Sequence, residues 1–407
     1  MAQTTMTTVD PILKEIYGPR LVDQLQSEII TLKRIEKTSE GVTEEVGGKY
    51  VTFPLRVKRN HGIGARNESE ALPTARTQGY VAARVGLTYQ YGSIQLTGQT
   101  FELAEKSPQT FASAVDEEMS GLTETLKKDV NRQVYGTSVG KLATANAVGS
   151  TTTFVLSNDE AIYLEVGMIV DVYTSGDVLR DSAREISNVQ MDTPSAGTTT
   201  VTFSAAATAT ASGDYLVRDD SRGKEIIGFR EIVGTSNTVY NVNPATTPVW
   251  RSVIDDPGSD RPLSEGLMTS MVDRIRTNGG RTTVIFTTLG VRRSYVTLLQ
   301  QQRRYTNTTK FEGGFSGIAF TTDTGDIPVV PDYDCPKKQM FYMNEKALKQ
   351  YQTHDWKWMD RDGSMWQRVI GSNGDRYDAY DAVMYKYFQL GTNRRNTHGR
   401  MGSITEG

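Results

Sequence analysis

The stretch SPQTFASAVDEEMSGLTETLKKDVNRQVYG, Ser107 to Gly136, constrains this chain more than any other. It opens on Ser107 and Pro108, an N-cap followed by proline at the first helical position, where a missing N–H costs nothing. Apolar residues recur at helical spacing at Phe111, Val115, Met119, Leu122, Leu126, Val130 and Val134. Asp116, Glu117 and Glu118 precede Lys127, Lys128 and Arg132, an order that suits the helix dipole, although only charges in the end turns feel it strongly. Gly136 supplies a stop. A helix of about 28 residues is roughly 42 Å long, against a usual length of ~11–12 residues. The stripe also drifts, by about 140° between Phe111 and Val134 at roughly 100° per residue. A straight rod with that drift shows different faces at its two ends. It is either a long core helix or a strut lying across a sheet, and its flanks must decide.

Residues 1–46 read as an arm. Ile12, Ile16, Leu21, Leu25, Ile29 and Leu32 have helical spacing that Gly18-Pro19 interrupts. In KYVTFPLRVKRN, Val51, Phe53, Leu55 and Val57 alternate with polar residues as in a half-buried strand, and Pro54 argues for an edge position. After a polar, Gly-containing loop, Val81, Ala83, Val85, Leu87, Tyr89 and Tyr91 alternate again. Most hairpin loops have about 2–5 residues, and an isolated hairpin is marginal in water. The expectation is a projecting arm whose apolar face rests on a partner, another subunit.

Beyond the helix the composition shifts. Residues 145–220 are rich in Thr, Ala, Gly and Ser, with short strand-like runs at the spacing of a small barrel or sandwich. Their acid excess (Asp159, Glu160, Glu165, Asp171, Asp177, Asp181, Glu185) reads as a solvated face. From Ser264, a candidate N-cap, an α/β unit begins. Leu267, Met268, Met271, Val272 and Ile275 form one helix face ended by Gly279-Gly280, TTVIFTT is a buried strand, and Val291 to Gln302 is a second helix. Further strands follow, and the tail from Tyr377 returns to strand alternation that should pair with an earlier sheet.

The 407 residues carry a net charge of −3, which gives no overall case for a nucleic-acid binder. The single Cys335 excludes an intrachain disulfide. No apolar run is long enough to cross a bilayer, the N-terminal residues show no secretory pattern, and folding in a cytoplasm is expected. His61, His354 and His398 lie in polar contexts without ligand spacing, and no nucleophile elbow, P-loop or zinc motif occurs. The expectation is a protein that is not an enzyme, with no cofactor and no metal. Basic residues are scattered: Arg56, Lys58, Arg59 and Arg66 on the arm, Arg292, Arg293, Arg303 and Arg304 at a helix, and Arg394, Arg395 and Arg400 near the C-terminus. Complementary patches between like subunits account for them better than a nucleic-acid motif does.

The order of arm, long hairpin, long helix, β segment, α/β unit and returning strands resembles the major capsid protein of tailed double-stranded DNA phages. TVYNVNPATTPVWRSVI, FEGGFSGIAF with GDIPVVPDYDCP, and KYFQLGTNRRNTHGRMGSI resemble segments of that family, and it is their order along the chain that carries the likeness. The resemblance implies an α+β, Hong Kong 97-like fold. Its parts would be an N-arm over residues 1–46, an E-loop hairpin over 47–95, a spine helix of the P-domain over 96–144, an inserted all-β domain over 145–220, an A-domain over 221–350, and a return to P-domain strands over 351–407. It further implies hexamers and pentamers of an icosahedral shell around double-stranded DNA contacted non-specifically. Implied partners are a separate scaffolding protein, a portal and a decoration protein. The location would be the virion, after assembly in the host cytoplasm. Candidate inter-subunit contacts are Arg56, Lys58, Arg59 and Arg66 on the arm, pairing with Asp116, Glu117 or Glu118 of an adjacent helix. An encapsulin-like compartment and a β-rich virion or cell-surface adhesin are the alternative readings.

Overall fold

The computed structural model describes residues 28–39, 42, 50–99, 112–157, 159–191, 197–206, 208–301, 308–310, 316–323, 325–360, 363–370 and 374–407. The long helix runs over Ala112–Tyr135 and stops before Gly136. The expected cap at Ser107-Pro108, the basic pair Arg303-Arg304 and most of the arm over 1–46 lie outside the described residues.

A six-stranded sheet carries the helix. Its centre is the strand Arg376–Thr392, which pairs with Thr88–Thr97, Leu348–Gln352, Lys357–Trp358 and Gln367–Ile370, while Glu36–Thr38 joins Leu348–Gln352 in parallel. Gly92 faces Leu122 and Leu126 of the helix, and a Cβ there would lie 2.8 Å from Leu126 Cδ1. Burial rises along the helix. Glu117 and Glu118 are exposed, whereas every residue from Val130 to Tyr135 is buried. That buried end lies between the stretch around Thr31, the stretch around Phe229 and the loop 332–335. The ring of Tyr135 is 5.4 Å from Phe229 and 5.7 Å from Phe341.

Polar contacts fix this junction. Asn131 donates through Nδ2 to Asp334 Oδ2 (2.6 Å) and Asp332 Oδ1 (3.2 Å), and its Oδ1 accepts from the Leu32 N–H at 3.1 Å. Thr31 donates from N (3.0 Å) and from Oγ1 (2.6 Å) to Asp332 Oδ2. Burial pushes the Asp334 carboxyl up to about 7, and the neighbouring Asp332 adds to the effect. Satisfying buried polar groups in this way costs little, whereas removing one partner is expensive.

The hairpin forms as expected, Tyr50–Lys58 against Gly79–Gly86 as a separate two-stranded ribbon. Two expectations fail here. The alternation Val81 to Tyr91 is not one strand. The chain changes sheet at Leu87, and the inward parity inverts: Ala83 and Val85 are buried, but Tyr89 and Tyr91 face solvent. Nor does the apolar face of the strands wait for another subunit, because Val51, Leu55, Ala83 and Val85 belong to the main core of their own chain.

Between Ala143 and Arg218 six strands form a sheet in the order Ala143–Thr144, Tyr215–Arg218, Ile169–Tyr173, Leu179–Met191, Thr198–Phe203, Thr153–Ser157. The bridge Ala145 to Leu156 joins its first and last strands, closing a small barrel with its own core around Phe154, Leu156, Val170, Ile186 and Val201. Its acids are not simply a solvated face. Glu165 pairs with Lys128 of the long helix (3.1 Å), Asp159 with Lys337 (3.7 Å) and Lys338 (3.5 Å), and Asp177 with Arg222 (3.0 Å). Asp171 is buried, accepting from the N–H groups of Ala183 and Asp220, both at 3.0 Å and both at positive φ.

The third sheet has seven strands, with Val284–Thr287 buried at every position. Ser264 caps the helix Glu265–Thr277 by accepting from Leu267 N–H, and Met268, Met271, Val272 and Ile275 face the sheet as expected. The tail divides. Arg376–Thr392 returns to the sheet under the long helix, but Gly399–Met401 enters the third sheet between Val253–Asp255 and Met340–Met343. His398 is not in a polar loop but fully buried. Its Nδ1 accepts from Asn344 N–H (3.3 Å), which leaves Nε2–H to donate to Thr392 Oγ1 at 2.8 Å. Burial and nearby Arg395 lower its value to about 3.

Candidate assembly surfaces

The period of two that buries Val51 and Leu55 turns Arg56 and Lys58 outward at the point where the hairpin leaves the body. There they join Arg59, Arg251 and Arg394 around an open groove of about 840 Å³ whose lining includes no carboxylate. Arg251 follows the turn Pro248–Trp250, anchored by buried Trp250, and its Nε donates to Pro244 O at 3.2 Å. Arg394 donates to Gly279 O at 3.3 Å, past the end of the helix Glu265–Thr277. Like charges crowded around one concavity favour an anionic occupant. The sequence placed Arg56, Lys58 and Arg59 on the arm but missed Arg251. It assigned Arg394 to a separate cluster, because the two lie far apart in the chain.

The loop 59–78 projects with Ile63 82% and Leu72 84% exposed. Arg66 does not reach outward through all its donors: Nε bonds Ala71 O and Nη1 bonds Ala65 O, each at 2.8 Å. The arm is not uniformly basic either. Its apex holds Glu68 and Glu70, and Glu70 accepts from the N–H (3.0 Å) and Nδ2 (2.9 Å) of Asn67 across a turn with Ser69 at φ +68°. The Asn67 backbone hydrogen bond, with help from its side chain, holds Glu70 below its ordinary value.

Glu117 and Glu118 are exposed on the long helix, apart from the groove, and Asp116 lies on the same helix. A further surface escaped the sequence reading. On the sheet face opposite the helix, Tyr89 and Tyr91 meet Tyr387 and Tyr385 across the register. Tyr89 to Tyr387 is 4.9 Å edge to face, Tyr385 to Tyr387 is 5.1 Å, and His354 lies 4.9 Å from Tyr385. Tyr89 and Tyr91 are exposed while Tyr385, Tyr387 and His354 are half-buried, so the cluster forms a partly exposed aromatic face. Cys335 is buried, which pushes its thiol well up. Among the described residues no three potential metal ligands come together.

The sequence matches the SU10 major capsid protein family over residues 110–384. The chain belongs to that family. It is a capsid shell subunit, a structural protein located in the virion capsid. The fold agrees: a chain of the cyanophage A-1(L) capsid asymmetric unit superposes with a TM-score of 0.61 at 16% identity, covering 99% of this chain and 100% of that one. More distant are the capsid of Myoviridae phage XM1 (TM-score 0.46, 9% identity, 95% and 96% covered) and the holo-SrpI encapsulin complex from Synechococcus elongatus PCC 7942 (TM-score 0.47, 9% identity, 99% and 96% covered). No curated protein matches the chain by sequence. The capsid subunit thus has the Hong Kong 97-like fold that its sequence resembles.

Proposed function

We propose that this capsid subunit assembles with copies of itself into hexamers and pentamers of a closed icosahedral shell that encloses double-stranded DNA, contacted without sequence preference. Assembly takes place in the host cytoplasm, with a separate scaffolding protein, a portal and a decoration protein as partners. The barrel over 145–220 is an accessory insertion. Arg56, Lys58, Arg59, Arg66, Asp116, Glu117 and Glu118 are inter-subunit contacts. The carrying observation is the hairpin: its root is integral to the subunit core, yet its loop holds Ile63 and Leu72 in water. Large apolar groups on a projecting loop are what a neighbouring copy covers, and closure of a shell multiplies many such modest contacts.

Reversing Glu117 and Glu118 together to Lys tests the reading. Both are exposed, so the subunit should keep its circular dichroism and melting behaviour. Electron microscopy should show capsomers or free subunits where the unaltered chain, expressed with its scaffolding partner, gives shells. Intact shells from the variant would remove the helix acids from the contact set. An enzyme cargo in place of DNA would favour a nanocompartment.

A further inference from the structure

We propose that the basic groove at the hairpin root is the receptor for the hairpin apex, residues 67–70, of the next copy of this chain. The contact rests on the shell reading and adds a defined socket and plug to it. Charge is the first argument. The groove gathers Arg56, Lys58, Arg59, Arg251 and Arg394 without a carboxylate in its lining, and the apex of the same hairpin offers Glu68 and Glu70. Shape is the second. The groove is concave and open, and the apex is a tight turn at the end of a projecting loop. The exposed acids of the long helix lie instead on a broad rod backed by a sheet. Preorganisation is the third. Asn67 and Glu70 already bond each other across Ser69, so little conformational freedom remains to be lost when the turn docks.

The apolar groups agree with this placement. Ile63 and Leu72 flank the apex, and Val57 and Val249, the latter 54% exposed, line the groove. A nucleic-acid phosphate chain would use the cations but leave these groups in water. Plug and socket are different surfaces of one chain, so a contact that gives each copy's apex to the next copy's groove is heterologous. It runs head to tail and closes when the rotation between copies closes. The apex acids and the groove cations then form a belt of charge-assisted contacts that set register between neighbours.

The test uses the full chain under conditions where it forms shells. Lys58→Glu with Arg251→Glu sets two carboxylates among the three remaining groove cations, and Glu68→Lys with Glu70→Lys makes the apex basic. Each pair alone should abolish shells and leave soluble subunits with unaltered circular dichroism. All four changes in one chain set the new apex lysines against the new groove carboxylates and should restore shells. A four-fold variant that stays unassembled while its melt is unchanged would overturn the proposal. So would rescue of the groove variant by Glu117→Lys with Glu118→Lys, or a groove variant that assembles normally and loses only DNA binding. A second measurement does not depend on charge reversal. Glu68→Cys with Val249→Cys, under a mild oxidant, should give covalent head-to-tail ladders in assembled material. Cys335 is buried and contributes no background. Shells without ladders would overturn the contact. A wild-type chain that forms no shells with its scaffolding partner would overturn the shell reading itself.

Discussion

Asp334→Asn isolates a buried titration whose sign and size follow from the junction it sits in. The Asp334 carboxyl rises from an ordinary 3.8 to about 7, chiefly through burial. The groups facing it are Asn131, which donates to it, Asp332, and more distantly Lys128 and Arg132. Because its folded value is raised, the folded subunit holds a proton that the unfolded chain has lost anywhere between 3.8 and 7. Stability from this group therefore falls as pH rises through that window and is constant on either side, by about 1.4 kcal/mol per pH unit at most. The ceiling is about 4 kcal/mol. His398 acts in the opposite sense. Its value drops from 6.5 to about 3, so it makes the subunit more stable as pH rises through that range. In the wild-type subunit the two slopes largely cancel over the shared interval. Asparagine at position 334 keeps a carbonyl for Asn131 and cannot ionise. The assay is urea unfolding of wild type and variant at closely spaced pH values between about 4 and 8. The stability of the variant relative to wild type should climb through the window and level off above neutrality, which unmasks the His398 slope. A difference that is flat with pH would refute the reasoning, whatever its size.

Gly228 is pressed against the end of the long helix, where a Cβ would meet Gln133 O and lie 2.6 Å from Gly136 O and 2.7 Å from Val134 O. Since backbone cannot yield as a side chain can, Gly228→Ala should cost about 3 kcal/mol or more, read as a lowered denaturation midpoint; an unchanged midpoint would contradict the packing described. Arg395 is fully buried and donates to Ile232 O (2.6 Å), Asn237 O (2.9 Å), Glu231 O (3.2 Å) and Asn237 Oδ1 (2.5 Å). Arg395→Met should orphan these acceptors at a combined cost of about 3 kcal/mol or more, and Arg395→Lys should recover little, because an ammonium lacks the planar fork. Full recovery by Lys in thermal melts would show that charge alone matters there.

How much the sequence disclosed depended on whether the information was local. The helix Glu265–Thr277 was legible to its cap, because Ser264 and the spacing of Met268, Met271, Val272 and Ile275 sit within a few turns of each other. The run Val81 to Tyr91 was misread as one strand, since alternation reports which side a residue faces and not which partner it faces. Only Gly86 hinted at the change of sheet. The basic groove needed Arg56, Arg251 and Arg394 in one place, a juxtaposition that topology creates and spacing cannot show. His398, Lys386 and Arg395 look like surface residues by type, yet each is buried. Each has found partners in distant segments. Lys386 bonds Asp355 at 3.1 Å and lies 5.0 Å from the Phe388 ring centre, with burial lowering its value to about 8.

The strand Arg376–Thr392 also sets a clock. Its partner Thr88–Thr97 leaves the ribosome almost three hundred residues earlier, as the bond from Thr88 Oγ1 to Phe388 O shows. At about 5–20 residues per second, Thr88–Thr97 waits roughly 15–60 s for the strand that completes the sheet under the long helix. Such long-range pairing is slow to form and leaves edges and apolar faces uncovered meanwhile. A chain halted before residue 376 therefore has a hairpin and a helix but no platform to present them. Assembly can then select for subunits whose synthesis has passed that point, with no separate inspection step.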